Sequence, residues 1–79
     1  MEAGIVSNYF EHVGAAAVKL SAGLKVGDTI KIVGGGNEFV QRIESMQIDR
    51  KSVTSAKKGN EVGIMVAQKV RKGYKLFKV

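Results

Sequence analysis

Apolar and polar positions alternate most clearly along Leu24-Lys25-Val26-Gly27-Asp28-Thr29-Ile30-Lys31-Ile32. Val26, Ile30 and Ile32 fall on one parity and Lys25, Thr29 and Lys31 on the other. That pattern predicts a strand with one apolar and one wetted face, entered through a turn. Gly27-Asp28 is the turn: glycine takes positive φ without steric penalty, and aspartate caps a turn with its own carboxylate. A half-apolar strand needs a partner surface, so the chain has to build a sheet that closes over one side.

The other segments follow from the same reading. Gly4 to Phe10 predicts a first strand that turns at Glu11-His12. Val13 to Leu20 stays open, because Ala15, Ala16 and Ala17 favour helix while Val13, Gly14 and Val18 favour strand. Ser21-Ala22-Gly23 is a loop, and Gly34-Gly35-Gly36-Asn37 a mobile, glycine-driven turn. Glu38 to Ile48 carries Phe39, Val40, Ile43 and Met46 at i, i+1, i+4 and i+7, a helical stripe that Asn37 can cap. As a strand it places Val40, Met46 and Ile48 on one parity and needs a β-bulge between Ile43 and Met46. Propensity alone leans towards the helix. Asp49-Arg50-Lys51 is a polar turn, Ser52 to Thr54 a short strand, and Ala56 to Asn60 a basic turn. Glu61 to Val66 is a strand whose Gly63 allows close backbone approach. Lys69 to Gly73 is a basic turn, and Tyr74 to Val79 a last strand with Leu76 and Phe77 apolar between lysines. No repeat or linker stands out. Six or seven short strands, with turns every 8–12 residues or so, predict a small all-β barrel or sandwich.

Composition sharpens this picture. Seventy-nine residues make one domain, 1–79, and a chain of that size buries only about 60% of the surface it exposes when unfolded. It has neither cysteine nor proline, so packed aliphatic side chains have to hold it together, and nothing points to an oxidising compartment. No apolar run reaches the roughly 20 residues of a membrane span. The start, Met1-Glu2-Ala3-Gly4, lacks the positive charge of a signal peptide. A soluble, cytoplasmic protein is the expectation. The net charge of +6 favours an anionic partner such as RNA.

No catalytic constellation is visible. A phosphate-binding loop needs Gly, four residues, then Gly-Lys-Ser/Thr, and no window fits, so this chain alone is not expected to bind GTP. His12 is the only histidine and reads as a solvent-facing turn residue, so neither a metal site nor a base for a nucleophile is expected. Glu38 and Glu44 fit the outer face of a strand better than an acid–base pair. The chain is therefore expected to be no enzyme and to need no cofactor. The basic groups Arg50-Lys51, Lys57-Lys58, Lys69, Arg71, Lys72, Lys75 and Lys78 fall mostly in turns, where they can gather at one end of a barrel. RNA binding combines such charge with exposed aromatics. Tyr74, between Lys72 and Lys75, is the aromatic expected to be partly exposed, while Phe10, Phe39 and Phe77 are expected in the core.

Three pieces in order, Leu24 to Ile30, Val40 to Arg50 with Glu44-Ser45-Met46-Gln47-Ile48, and Lys58-Gly59-Asn60-Glu61-Val62-Gly63-Ile64, resemble the second domain of translational GTPases. There the pattern is a leucine-x-valine-glycine-aspartate turn, a methionine-bearing strand and a glycine-aspartate-x-valine-glycine hairpin. The chain looks most like stand-alone elongation factor-like proteins of archaeal type. It is also similar to the C-terminal domain of collagenase-like peptidases, in which Tyr9-Phe10 and Val70-Arg71-x-Gly73 are matched too. The resemblance spans residues 3–79. It implies a closed antiparallel β-barrel of six to seven strands, which makes strands of both open segments. Two places depart from the pattern: Gly35-Gly36-Asn37-Glu38-Phe39 replaces histidine-threonine-threonine-aspartate-phenylalanine, and Tyr74 replaces the usual aspartate.

In elongation factor Tu this barrel helps hold the aminoacylated end of tRNA. Carried over, that surface involves Gln47, Arg50, Glu61 and Met65, with Gln47 and Glu61 differing from the usual residues and the GTPase half absent. The resulting expectation is a non-catalytic translation-factor-like module. It would bind tRNA, rRNA or the ribosome through Arg50, Lys51, Lys57, Lys58, Arg71 and Lys72, with Tyr74 beside them. The alternative is a protein-docking module that works with a separate partner chain such as a GTPase or peptidase domain.

Overall fold

A computed structural model describes residues 2–79. Both open segments are extended, and no helix forms among the described residues. Those residues form ten strands where six or seven were expected: β1 (Glu2–Phe10), β2 (Ala15–Leu20), β3 (Leu24–Lys25), β4 (Thr29–Gly34), β5 (Asn37–Arg42), β6 (Met46–Ile48), β7 (Lys51–Val53), β8 (Ser55–Ala56), β9 (Glu61–Met65) and β10 (Lys75–Lys78). Eight of them make one antiparallel sheet in the order β5-β4-β10-β1-β2-β9-β6-β7, and β3 pairs with β8. The large sheet wraps one core to which β1, β2, β4, β6, β9 and β10 all contribute. Ile30, Ile32, Met46, Val62, Ile64 and Leu76 are among its fully buried side chains.

The backbone ladders do not complete the expected barrel, because β5 and β7 are the two ends of the pairing order. A side chain spans part of the gap. The Gln41 Nε2 donates to the Met65 carbonyl (2.8 Å), and its Oε1 accepts from the Ala67 N–H (2.7 Å). Its amide thus takes the place of a peptide group between β5 and the end of β9, Met65, with Ala67 just beyond it.

Three turns share one construction, a recurrence not apparent from the sequence alone. In Lys25-Val26-Gly27-Asp28, Lys57-Lys58-Gly59-Asn60 and Arg71-Lys72-Gly73-Tyr74, the fourth N–H donates to the first carbonyl, at 3.1, 3.1 and 3.2 Å. The glycines hold φ of 97°, 93° and 97°, which suits the third position of a type II turn. Each turn delivers the chain into a strand: β4, β9 and β10. In the first two the side chain closes the loop as well, with Asp28 Oδ2 and Asn60 Oδ1 accepting from the N–H of Lys25 and Lys57. Asp28 therefore caps its turn as expected, and Lys78 Nζ approaches the same oxygen at 3.3 Å.

Tyr74 cannot make that clasp. Its ring lies instead over Gly34 and Gly35, where a Cβ on either glycine would collide with it. The Gly34-Gly35-Gly36 run, expected to be merely a mobile turn, is a platform for an aromatic ring.

Two patterns differ from expectation for identifiable reasons. The register between β1 and β2 shifts between Val6 and Asn8, leaving Ser7 as the extra residue. Beyond it the parity flips, so Tyr9 packs on the core and Phe10, expected inside, is 48% exposed. In the 38–48 segment the chain changes partners, pairing with β4 up to Arg42 and with β9 from Met46. Ile43 is buried within the break and Val40 faces out.

Candidate functional site

The register fixes the two ends of the wrapped sheet. At one end lie the β1–β2 turn (11–14), the β4–β5 turn (35–36) and the loop from Val66 to Tyr74. At the other lie the turns at 25–28, 49–50 and 57–60. Arg71 and Lys72 therefore sit opposite Arg50, Lys51, Lys57 and Lys58, and the basic groups do not gather at one end. Tyr74 is half-buried, as expected of it. His12 is exposed in the β1–β2 turn. Among the described residues, no three His, Cys, Asp or Glu side chains are placed to hold a metal.

A groove of about 900 Å³ runs along the outer face of β2, β9 and β6. Its geometry follows from pairing. Asn8 opposes Ala17, Ala17 opposes Gly63, and Gly63 opposes Gln47, so one row across four strands has two of the smallest residues at its centre. Ala15 and Ala17 of β2 and Gly63 of β9 make the floor. Phe10, Glu11, His12 and Val13 form one wall, and Gln47, Asp49 and Arg50 the other. A Cβ on Gly63 would come no nearer than 4.0 Å to the Gln47 carbonyl oxygen, so this glycine leaves open room on the floor rather than a close backbone approach. Glu61 is fixed at the edge, its Oε2 accepting from the Ser7 hydroxyl at 2.6 Å.

Arg50 belongs to a two-residue hairpin loop, closed by the Ile48–Lys51 pair. Asp49 and Arg50 have φ of 51° and 66°, so both central positions are left-handed. Such turns favour Asn-Gly or Asp-Gly, and an arginine in the second position bears the Cβ–carbonyl crowding that glycine escapes. A strained residue persists where the surrounding structure holds it there, and such residues cluster at binding sites. Here that side chain lines the groove.

Three of the four residues assigned by resemblance to an aminoacyl-end surface, Gln47, Arg50 and Glu61, thus line one groove. Met65 lies just beyond it, opposite Ala15, and is 51% exposed. Sequence reasoning missed the small floor residues and the wall from Phe10 to Val13. Of the polar ends of the row, Gln47 came only through the resemblance, and Asn8 gave no signal without the register.

No family model matches the chain. It is 40% identical over 78 residues to an uncharacterized protease of Methanocaldococcus jannaschii, covering 98% of this chain and 19% of that one. It is 33% identical over 72 residues to a collagenase of Porphyromonas gingivalis, covering 89% of this chain and 20% of the relative. The chain spans about a fifth of the length of the curated relatives it matches. Two crystal structures of the C-terminal domain of a putative U32 peptidase from Geobacillus thermoleovorans share the fold at 22% identity. Their TM-scores are 0.92 and 0.91, and they cover 96% and 98% of this chain. These findings correct the translation-factor reading: the relatives bear peptidase names, and the expectation of a tRNA- or ribosome-binding elongation factor-like module is overturned. What the chain resembles is the terminal domain of peptidase-like proteins.

Proposed function

We propose that this chain is a non-catalytic docking module that works with a peptidase-type catalytic domain, joined to it or separate, and seats that domain on the groove of β2, β9 and β6. The observation that carries this reading is the uncovered apolar surface around the groove. Phe10, Val13 and Met65 are 48%, 59% and 51% exposed beside a floor of alanine and glycine. Apolar residues exposed singly need no explanation, but a contiguous set around a concavity marks an interaction site. A floor without large side chains lets an occupant approach the backbone closely. Arg50, held in a strained turn at the wall, supplies a charged group at the rim. The relatives support the reading, since in each the matched segment is a small part of a much longer chain. On this reading the rest of such a chain performs the chemistry. We also take the wrapped sheet to be functionally a barrel whose seam is carried by the Gln41 amide, which keeps the groove face rigid.

The test uses the part of the M. jannaschii protease outside the matched segment, first shown to melt cooperatively. Titrated with this chain in a calorimeter, it should form a one-to-one complex that survives a rise in salt, because apolar contact is little screened. A Phe10→Ser, Met65→Lys double variant with an unchanged melting temperature should lose the complex. No complex, or one indifferent to those substitutions, would overturn the proposal.

A further inference from the structure

The end of the molecule that carries Tyr74 has a second, smaller recess. It measures about 430 Å³ and is lined by Gly35, Asn37, Lys69, Arg71 and Tyr74. Each lining side chain beyond glycine brings a hydrogen-bond donor: an amide, an ammonium, a guanidinium and a phenol hydroxyl. No carboxylate lines it. Lys31, Lys75 and Lys78, outside the recess, each face an acidic partner.

The recess is positioned by the core. Val70 is 1% exposed and anchors the loop between β9 and β10. Its neighbours Lys69 and Arg71 lie one residue to either side, so in extended chain they project together, away from the core. Tyr74 is fixed from the other direction, its ring over Gly34 and Gly35. The nearby charges are few. Glu11 pairs with Lys69 at 3.2 Å, but both side chains are well exposed, at 72% and 61%, so the pair is weak and readily exchanged. Glu38, next to Asn37, is engaged by Lys31 at 3.6 Å. Lys72, in the same turn, adds a further positive charge. Among the described residues Arg71 has no ion-pair partner. Two cations side by side in a recess whose other side-chain lining is an amide and a phenol, with one exposed carboxylate, Glu11, at its edge, form a site complementary to an anion.

We propose that this recess binds a single oxyanion group, a carboxylate or a phosphate monoester. The Arg71 guanidinium grips two of its oxygens, Lys69 supplies the second charge, and the Tyr74 hydroxyl and Asn37 amide donate to what remains. The site lies apart from the groove and does not depend on the docking reading.

Amide-resolved NMR titrations of the whole chain at constant ionic strength test this, with inorganic phosphate in one arm and glutarate in the other, balanced by chloride. Saturable shifts should centre on Gly35, Asn37, Arg71 and Tyr74 before Lys57 and Lys58 respond. Arg71→Gln should weaken the apparent affinity about tenfold, as loss of a charge-assisted bidentate contact implies. Tyr74→Phe keeps the ring over the glycines and should weaken it by a smaller factor, and Lys57→Gln should leave it unchanged. Saturation by phosphate alone assigns a phosphate ligand, and saturation by glutarate alone a carboxylate. Shifts that grow linearly over every lysine and arginine, or saturation untouched by Arg71→Gln, would overturn the site.

Discussion

Replacing Arg50 by glycine should make the protein more stable while weakening the proposed contact with a partner. Arg50 occupies the second central position of the β6–β7 hairpin loop at φ 66°. A Cβ in the left-handed region costs roughly 1–2 kcal/mol, which glycine avoids. Against that, glycine returns conformational freedom to the unfolded chain, a loss of about 0.4–1 kcal/mol. The arginine side chain has no ion pair to lose among the described residues. The balance is a gain of about 0–1.6 kcal/mol, centred on about 0.8 kcal/mol, which for a domain of this size centres on a rise in melting temperature of about 3–6 °C. Arg50→Asn, which tolerates the same backbone better than arginine does, should fall between the two. Thermal and urea melts of the three proteins read the difference directly, with the m-value checking that the transition stays the same. A melting temperature for Arg50→Gly at or below that of the parent would show that the turn is not strained by its side chain. The argument that Arg50 is retained for the groove would fall with it.

Other substitutions probe the remaining devices. Gln41→Leu removes the bonds from β5 to Met65 at the end of β9 and to Ala67 beyond it, and should lower stability by about 1–3 kcal/mol and speed amide exchange at Ala67. Gln41→Glu keeps the acceptor for Ala67 but loses the donor to Met65, so it should fall between parent and Leu. Gly34→Ala forces the alanine Cβ against the Tyr74 ring and should lower the melting temperature, with a Tyr74→Ala background absorbing much of the effect in a double-mutant cycle. Asp28→Ala removes the cap on Lys25 and the approach of Lys78 and should be destabilising by about 1–2 kcal/mol, more than Asn60→Ala, which loses a single exposed bond.

Local chemistry was the legible part of this sequence, and long-range register was not. The turn at Gly27-Asp28 could be read because its cap is made within four residues. The strand after it could be read from Ile30 and Ile32, although the turn carries Val26 out to solvent. Phe10 was misplaced because one extra residue at Ser7 reverses the parity of all that follows, and nothing local marks the bulge. The helical stripe in 38–48 arose because the strand changes neighbours between Arg42 and Met46, which resets its period. Gln41 was silent for a related reason: its partners are backbone groups 24 and 26 residues away. The groove shared this obscurity. Its floor is alanine and glycine, residues that look like filler until pairing sets Ala17 beside Gly63. The basic clusters were legible as charge, but only the order of the strands divides them between two ends.

The docking claim is met most directly by hydrogen-exchange mass spectrometry of this chain with and without the part of the M. jannaschii relative outside the matched segment. Protection should concentrate on the β1–β2 hairpin, the outer face of β9 and the turn at Asp49-Arg50, and leave β4 and β5 unchanged. Protection confined to β4 and β5, or none anywhere at saturating partner, would contradict it.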